Sequence, residues 1–180
     1  MRSALLCSLF LLSAWSCSGN LSDVTVYKVP KEKPAALPAQ LAAAPAPKSA
    51  MTWDIPKGWE KKPPAPMRVA SFAAGNAEVS IVSLPGEAGG VLANINRWRG
   101  QLGLPPIAEK DLASATRLVD TAAGRVLVVD FTGGPKRMVA GLLSANDESW
   151  FFKMTGEEKS VANALPAFNS FLGSLRLEAN

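Results

Sequence analysis

The chain has 180 residues, 48% of them hydrophobic, with 19 basic and 15 acidic side chains, two cysteines and no histidine. Without histidine, and with both cysteines (Cys7, Cys17) near the N-terminus, the rest of the chain is excluded from Ser-His-Asp and Cys-His catalysis and from the usual zinc sites. From residue 51 onward fourteen basic side chains meet thirteen acidic ones, so the formal charge of +4 lies mostly outside that part, and no nucleic-acid partner is expected.

Met1-Arg2-Ser3 precedes an uncharged apolar run from Ala4 to Trp15. That is the n-region and h-region of a secretory signal, and roughly a dozen residues fall short of the ~20 needed to span a bilayer. The run ends in Leu12-Ser13-Ala14-Trp15-Ser16-Cys17-Ser18. This resembles the lipobox of bacterial lipoproteins: Ser16 takes the small position and Cys17 the lipidated one, with Trp15 and Ala14 departing from the commonest residues. The resemblance implies a signal peptide over 1–16, an acylated Cys17 and an envelope protein facing the periplasm, with inner or outer membrane left open. Cleavage would remove Cys7 and leave Cys17 alone, so no internal disulfide could form, and a lone thiol in an oxidising compartment is reactive unless capped. The alternative is a plain signal peptide cut near Ala14 or after Cys17, which gives a soluble protein.

Residues 17–50 differ in composition from the remainder of the chain. Val24, Val26 and Val29 could form a short extended piece, and VTVYKVPKE is either a docking segment or part of a spacer. Pro30, Pro34, Pro38, Pro45 and Pro47 then remove backbone donors and fix φ. The stretch is predicted to be a semi-rigid, polyproline-like tether.

Residues 51–180 read as one domain, long enough to bury a core unaided. Trp53-Asp54-Ile55-Pro56-Lys57-Gly58-Trp59 predicts a tight turn between two short extended pieces. Met67 to Gly75 and Ala77 to Leu84 flank Gly75-Asn76 and predict a hairpin, with Val79, Ile81 and Ser83 on one face. After Gly89-Gly90, the spacing of Val91, Leu92, Ile95, Trp98 and Leu102 predicts an amphipathic helix, closed by Gly103 and Pro105-Pro106. One side of it carries Asn94, Arg97 and Gln101, with Asn96 and Arg99 on the flanks. Four strand-like stretches come next, at 116–121, 125–132, 137–144 and 149–155, separated by AAG, GGPK and ANDE, and they predict an antiparallel meander. Val161, Leu165, Phe168, Phe171 and Leu172 mark a closing helix, with Pro166 expected to kink or separate its first turn.

Strands, helix, antiparallel strands, helix, with no βαβ repeat, predict an α+β fold in which helices pack on an antiparallel sheet. The opening Trp53-x-x-Pro56-x-Gly58-Trp59, the central sheet and the end Phe168-x-x-Phe171-Leu172-x-Ser174-Leu175-Arg176 resemble the PsbP-like fold, which implies an α/β/α sandwich over nearly all of 51–180. The stretch NINRWRGQLGL also resembles a motif of uncharacterised bacterial lipoproteins. Neither resemblance brings a catalytic residue, a cofactor or a metal.

The acidic pairs Glu109/Asp111, Asp147/Glu148 and Glu157/Glu158 fall in loops or at helix starts, where carboxylates are solvated or complement the helix dipole. A calcium site at Asn146-Asp147-Glu148 would lack the ligand count of a recognised loop. Gly86-Glu87-Ala88-Gly89-Gly90 precedes a helix but lacks the Gly-Lys-Ser/Thr of a phosphate loop, which favours a turn and cap. The polar cluster Asn94, Asn96, Arg97, Arg99 and Gln101 is the candidate contact for a ligand or partner, because arginine forks pair carboxylates or phosphates. The competing reading places its arginines on backbone carbonyls or on Asp120 or Asp130. Two functions are compatible with these residues: a noncatalytic, membrane-anchored binding or assembly module with a protein partner in the envelope, or a carboxylate enzyme acting on cell-envelope glycans.

Overall fold

The computed structural model describes residues 50–178. The signal, Cys17 and tether readings lie outside the described residues. The described part is α+β, with helices packed on an antiparallel sheet. Its elements are β1 (Met51–Thr52), β2 (Trp59–Lys61), β3 (Ala70–Ala74), β4 (Ala77–Pro85), α1 (Val91–Gln101), a 3-10 turn at Glu109–Asp111 leading into α2 (Leu112–Ala115), β5 (Arg117–Thr121), β6 (Gly124–Gly133), β7 (Lys136–Ala145), β8 (Glu148–Glu157), α3 (Glu158–Gly173) and β9 (Arg176–Leu177).

Seven strands form one sheet in the order β2-β3-β4-β8-β7-β6-β5, all neighbours antiparallel. The predicted hairpin is β3–β4, turning at Gly75-Asn76, and the predicted meander is β5 to β8. The two are joined by the pairing of β4 with β8, where Val82 lies opposite Phe151 and Ser80 opposite Lys153. The two extended pieces around Pro56-Gly58 do not pair with each other: β2 joins the large sheet and β1 joins β9.

Both faces of the central strands are buried, each against its own helix. On β7 and β8 the side chains of Val139, Leu143, Trp150, Phe152 and Met154 join the core under α3, with Val161, Phe168, Phe171 and Leu172. The intervening Met138, Ala140, Leu142 and Phe151 join Ile95 and Trp98 of α1 in a second core. The result is three layers, helix on sheet on helix. Trp53 and Trp59 both pack on Phe171, which fixes β2 to the α3 layer.

Pro166 does not separate a first turn from the closing helix: α3 runs unbroken from Glu158 to Gly173. Pro166 and Ala162, whose carbonyl loses its ladder donor, both face solvent. The buried Val161, Phe168, Phe171 and Leu172 hold the turns on either side.

A two-stranded ribbon ties the ends of the described chain. Met51 pairs with Leu177 and Thr52 with Arg176, and Glu178 N–H donates to the Ala50 carbonyl at 2.9 Å. Asp54 accepts from the Arg176 guanidinium at 2.7 Å, and the Asp54 N–H donates to Ser174 Oγ at 2.9 Å.

Candidate functional site

The α1 layer is smaller than the sheet it covers. Seven strands at ~4.8 Å span roughly 29 Å, whereas a helix is about 10 Å across. α1 and its flanking loops cover β6, β7 and β8, with Val82 and Leu84 of β4 at the margin. The step between α1 and the β4 side of the sheet is a cleft of about 210 Å³. Its floor is apolar, made by Val82, Leu84, Trp98 and Phe151, and its walls are Arg68, Ser80, Asn94, Arg97, Gln101 and Lys153.

α1 places the polar cluster by its 3.6 period: Asn94, Arg97 and Gln101 lie three and four apart on the cleft side. Asn94 is 1% exposed. Its amide donates to the carbonyls of Ala88 (3.0 Å) and Gly90 (2.7 Å), and its Oδ1 accepts from Arg97 Nη1 at 2.9 Å. The glycine loop 86–90 is therefore a turn whose carbonyls are bound to the helix it precedes. Ser149 Oγ holds a third of them, that of Gly86, at 2.6 Å. Gln101 Oε1 accepts from Lys153 Nζ at 3.3 Å.

The other two residues of the cluster do structural work. Asn96 Nδ2 donates to the Ile107 carbonyl at 3.0 Å while its Oδ1 accepts from the Ile107 N–H at 2.8 Å. Arg99 Nε donates to the Pro105 carbonyl at 2.8 Å, and its guanidinium lies over the Phe131 ring, 5.1 Å from the centroid. Asn96 and Arg99 thus hold the loop after α1 and stand off the cleft. Asp130 and Asp120, the acids expected as arginine partners, are taken by Arg137 (2.6 Å) and Arg125 (2.9 Å). Trp98 is 5% exposed and meets Phe151 edge to face at 6.0 Å, so it is core and cleft floor together.

Sequence reasoning missed Arg68, Ser80 and Lys153. Lys153 carries a legible signal: it is the one charge within Trp150-Phe151-Phe152-Lys153-Met154, on a strand buried on both faces. Burial, and secondarily the field of Arg68, push its pKa below the ordinary 10.5, with the Glu78 carboxylate pulling the other way. Arg68 is committed to Glu78, which also accepts from Lys62 at 3.3 Å, and the Arg68 guanidinium holds the Glu78 carboxyl below its ordinary 4.5. Among the described residues neither Arg97 nor Lys153 makes an ion pair, and none of the residues lining the cleft is acidic. The cleft therefore combines an apolar floor with two cations whose donors remain available to an anion.

The acidic pairs lie elsewhere. Asp111 Oδ2 accepts from Ala108 N–H at 3.2 Å, closing the 3-10 turn that contains Glu109. Asn146 and Asp147 adopt φ of 52° and 60°, the left-handed pair of a two-residue hairpin turn between β7 and β8, and Glu148 opens β8. Glu157 and Glu158 straddle the start of α3. Among the described residues no group of three metal-ligating side chains is assembled, and no helix is long and apolar enough to cross a membrane.

No protein-family model matches this chain, and no curated protein matches its sequence. Solved structures with a similar chain course include a crystal structure from Bacteroides thetaiotaomicron, at 9% identity and TM-score 0.45, covering 72% of this chain and 46% of that one. This chain thus spans about half the length of that relative. The solution structure of the cyanobacterial PsbP protein CyanoP from Synechocystis is similar at 11% identity and TM-score 0.45, covering 72% of this chain and 92% of that one. The crystal structure of LpqN, involved in cell envelope biogenesis of Mycobacterium tuberculosis, is similar at 10% identity and TM-score 0.44, covering 73% and 84%.

Proposed function

We propose that this protein is a noncatalytic binding or assembly module of the bacterial envelope, anchored through a lipid on Cys17, and that the cleft beside α1 is where it meets its partner. The observation that carries this reading is the placement of Arg97 and Lys153, neither within salt-bridge distance of a carboxylate, beside the floor of Val82, Leu84, Trp98 and Phe151. Such a surface binds an anionic group joined to an apolar one, and keeping a half-buried lysine there disfavours its charged form until an anion arrives. The glycan-enzyme alternative needs two carboxylates across a cleft, roughly 5 to 10 Å apart. Acids with defined places serve a turn (Asp111), a helix start (Glu158) or an ion pair (Asp54, Glu78, Asp120 and Asp130).

The test is a photo-crosslinker placed at position 101 of the full chain in its native envelope, with a second at the exposed Lys110 as control. The expected result is a discrete adduct from position 101 alone, lost in Arg97→Ala. Equal crosslinking from both positions, or an adduct indifferent to Arg97→Ala, would overturn the reading.

A further inference from the structure

Resting on that reading, we infer that the α1 cleft captures the free C-terminus of a partner polypeptide whose last residue is apolar. The cleft's volume of about 210 Å³ lies below the ~300–1,000 Å³ usual for small-molecule sites and suits one large side chain with its carboxylate. The rim supplies the charge complement. Arg97 spends one nitrogen on Asn94 and keeps the rest of its planar fork, and the hydrogen bond from Lys153 Nζ to Gln101 is long, at 3.3 Å. Arg68, the third cation, is neutralised by Glu78. Two available cations above four apolar side chains match a carboxylate with a hydrophobic group beside it.

The same geometry decides between carriers of that chemistry. A free phosphate would leave the floor of Val82, Leu84, Trp98 and Phe151 unused. A fatty acid would fill the cleft with its first few carbons and leave the remaining methylenes in water, forfeiting about 0.8 kcal/mol for each one not buried. A polypeptide loses nothing by leaving: its backbone is solvated, and the cleft is open to solvent, which lets the chain continue. Capture of a terminal carboxylate by convergent donors is an established mode of peptide recognition.

Fluorescence polarisation on the full chain tests this. The probe is a fluorescein-labelled hexapeptide ending in phenylalanine with a free carboxylate. Its C-terminal amide, a glycine-ended peptide, octanoate and inorganic phosphate serve as competitors. The expected result is saturable binding that Arg97→Gln and Lys153→Met each weaken at least tenfold while the far-UV spectrum is retained, with every competitor at least tenfold poorer than the unlabelled free acid. An amide or a glycine-ended peptide that competes equally, or octanoate that competes better, would overturn the inference. Phosphate or octanoate binding that requires Arg97, without peptide binding, would overturn it and leave the anion-binding reading of the cleft standing. No binding of any probe, together with no adduct from position 101, would remove both.

Discussion

Three glycines on three surfaces should respond to alanine in a fixed order. At Gly133 an added Cβ would lie 2.3 Å from the Leu102 carbonyl oxygen and 2.8 Å from Leu102 Cβ. Ordinary contact distances are about 3.5 Å, so the chain leaving α1 would have to retreat by roughly 1 Å, and because the obstacle is backbone no rotamer change relieves it. The cost should sit at the upper end of overpacking, about 3 kcal/mol, or about 10 °C in Tm for a domain of this size. At Gly141 the nearest atoms are buried side-chain methyls, Val126 Cγ1 (2.9 Å) and Leu172 Cδ2 (3.4 Å), so side chains and not backbone must shift. About 1–2 kcal/mol is expected there. Gly100, inside α1, has nothing within 4 Å, so alanine should stabilise by about 0.5–1 kcal/mol through helix propensity. Urea unfolding of the full chain followed by tryptophan fluorescence gives all three. A Gly133→Ala variant within 0.5 kcal/mol of wild type, or one milder than Gly141→Ala, would refute the assigned packing of the α1 exit loop on β6.

The Lys153 ammonium is disfavoured by burial, so stability should rise as pH climbs through its depressed folded value towards 10.5; Lys153→Met should be more stable than wild type at neutral pH, with the gap closing at high pH in parallel melts. Binding of an anionic probe should weaken as pH passes the same depressed value, earlier than for an exposed lysine. Asn96→Ala leaves both polar groups of Ile107 without their partner and should cost about 1–3 kcal/mol, and hydrogen exchange should show the Ile107 amide losing protection first. Glu78 has a lowered pKa, so the stability it contributes is present above its ordinary 4.5 and lost as pH falls through the folded value. Glu78→Gln should accordingly flatten the acid limb of the unfolding curve. Cys17→Ser should leave the protein unprocessed or released from membranes, and normal processing with unchanged membrane retention would contradict lipid anchoring.

Local chemistry made much of the fold readable. Gly75-Asn76 set the β3–β4 turn, the Ile95 and Trp98 stripe gave α1 its face, and turn residues at 122–124, 133–136 and 145–148 separated the meander. The adjacency of β4 and β8 was not readable, because Val82 and Phe151 are far apart in sequence and both strands are hydrophobic on both faces. The same gap hid the site. Asn94, Arg97 and Gln101 share a helix face and could be grouped by spacing. Lys153 reaches the cleft only through that long-range pairing, and Arg68 through the β3–β4 hairpin that also carries Ser80. The separate first turn expected at Pro166 is absent, since propensity does not report which carbonyl is left to water.

The β1–β9 ribbon has a mechanical meaning. Residues 50 and 178 are hydrogen-bonded to each other, so the described domain receives and returns its chain at one point. Tension applied between those two residues would load the ribbon's few bonds one after another, as a zipper opens, and not share the load among them. The Asp54–Arg176 and Ser174 contacts form the next latch behind it. Opening the ribbon would give a few residues of slack while the seven-stranded sheet stays closed. The same closeness of ends predicts that residues 50–178 can be spliced into a surface loop of a host protein without stretching either partner.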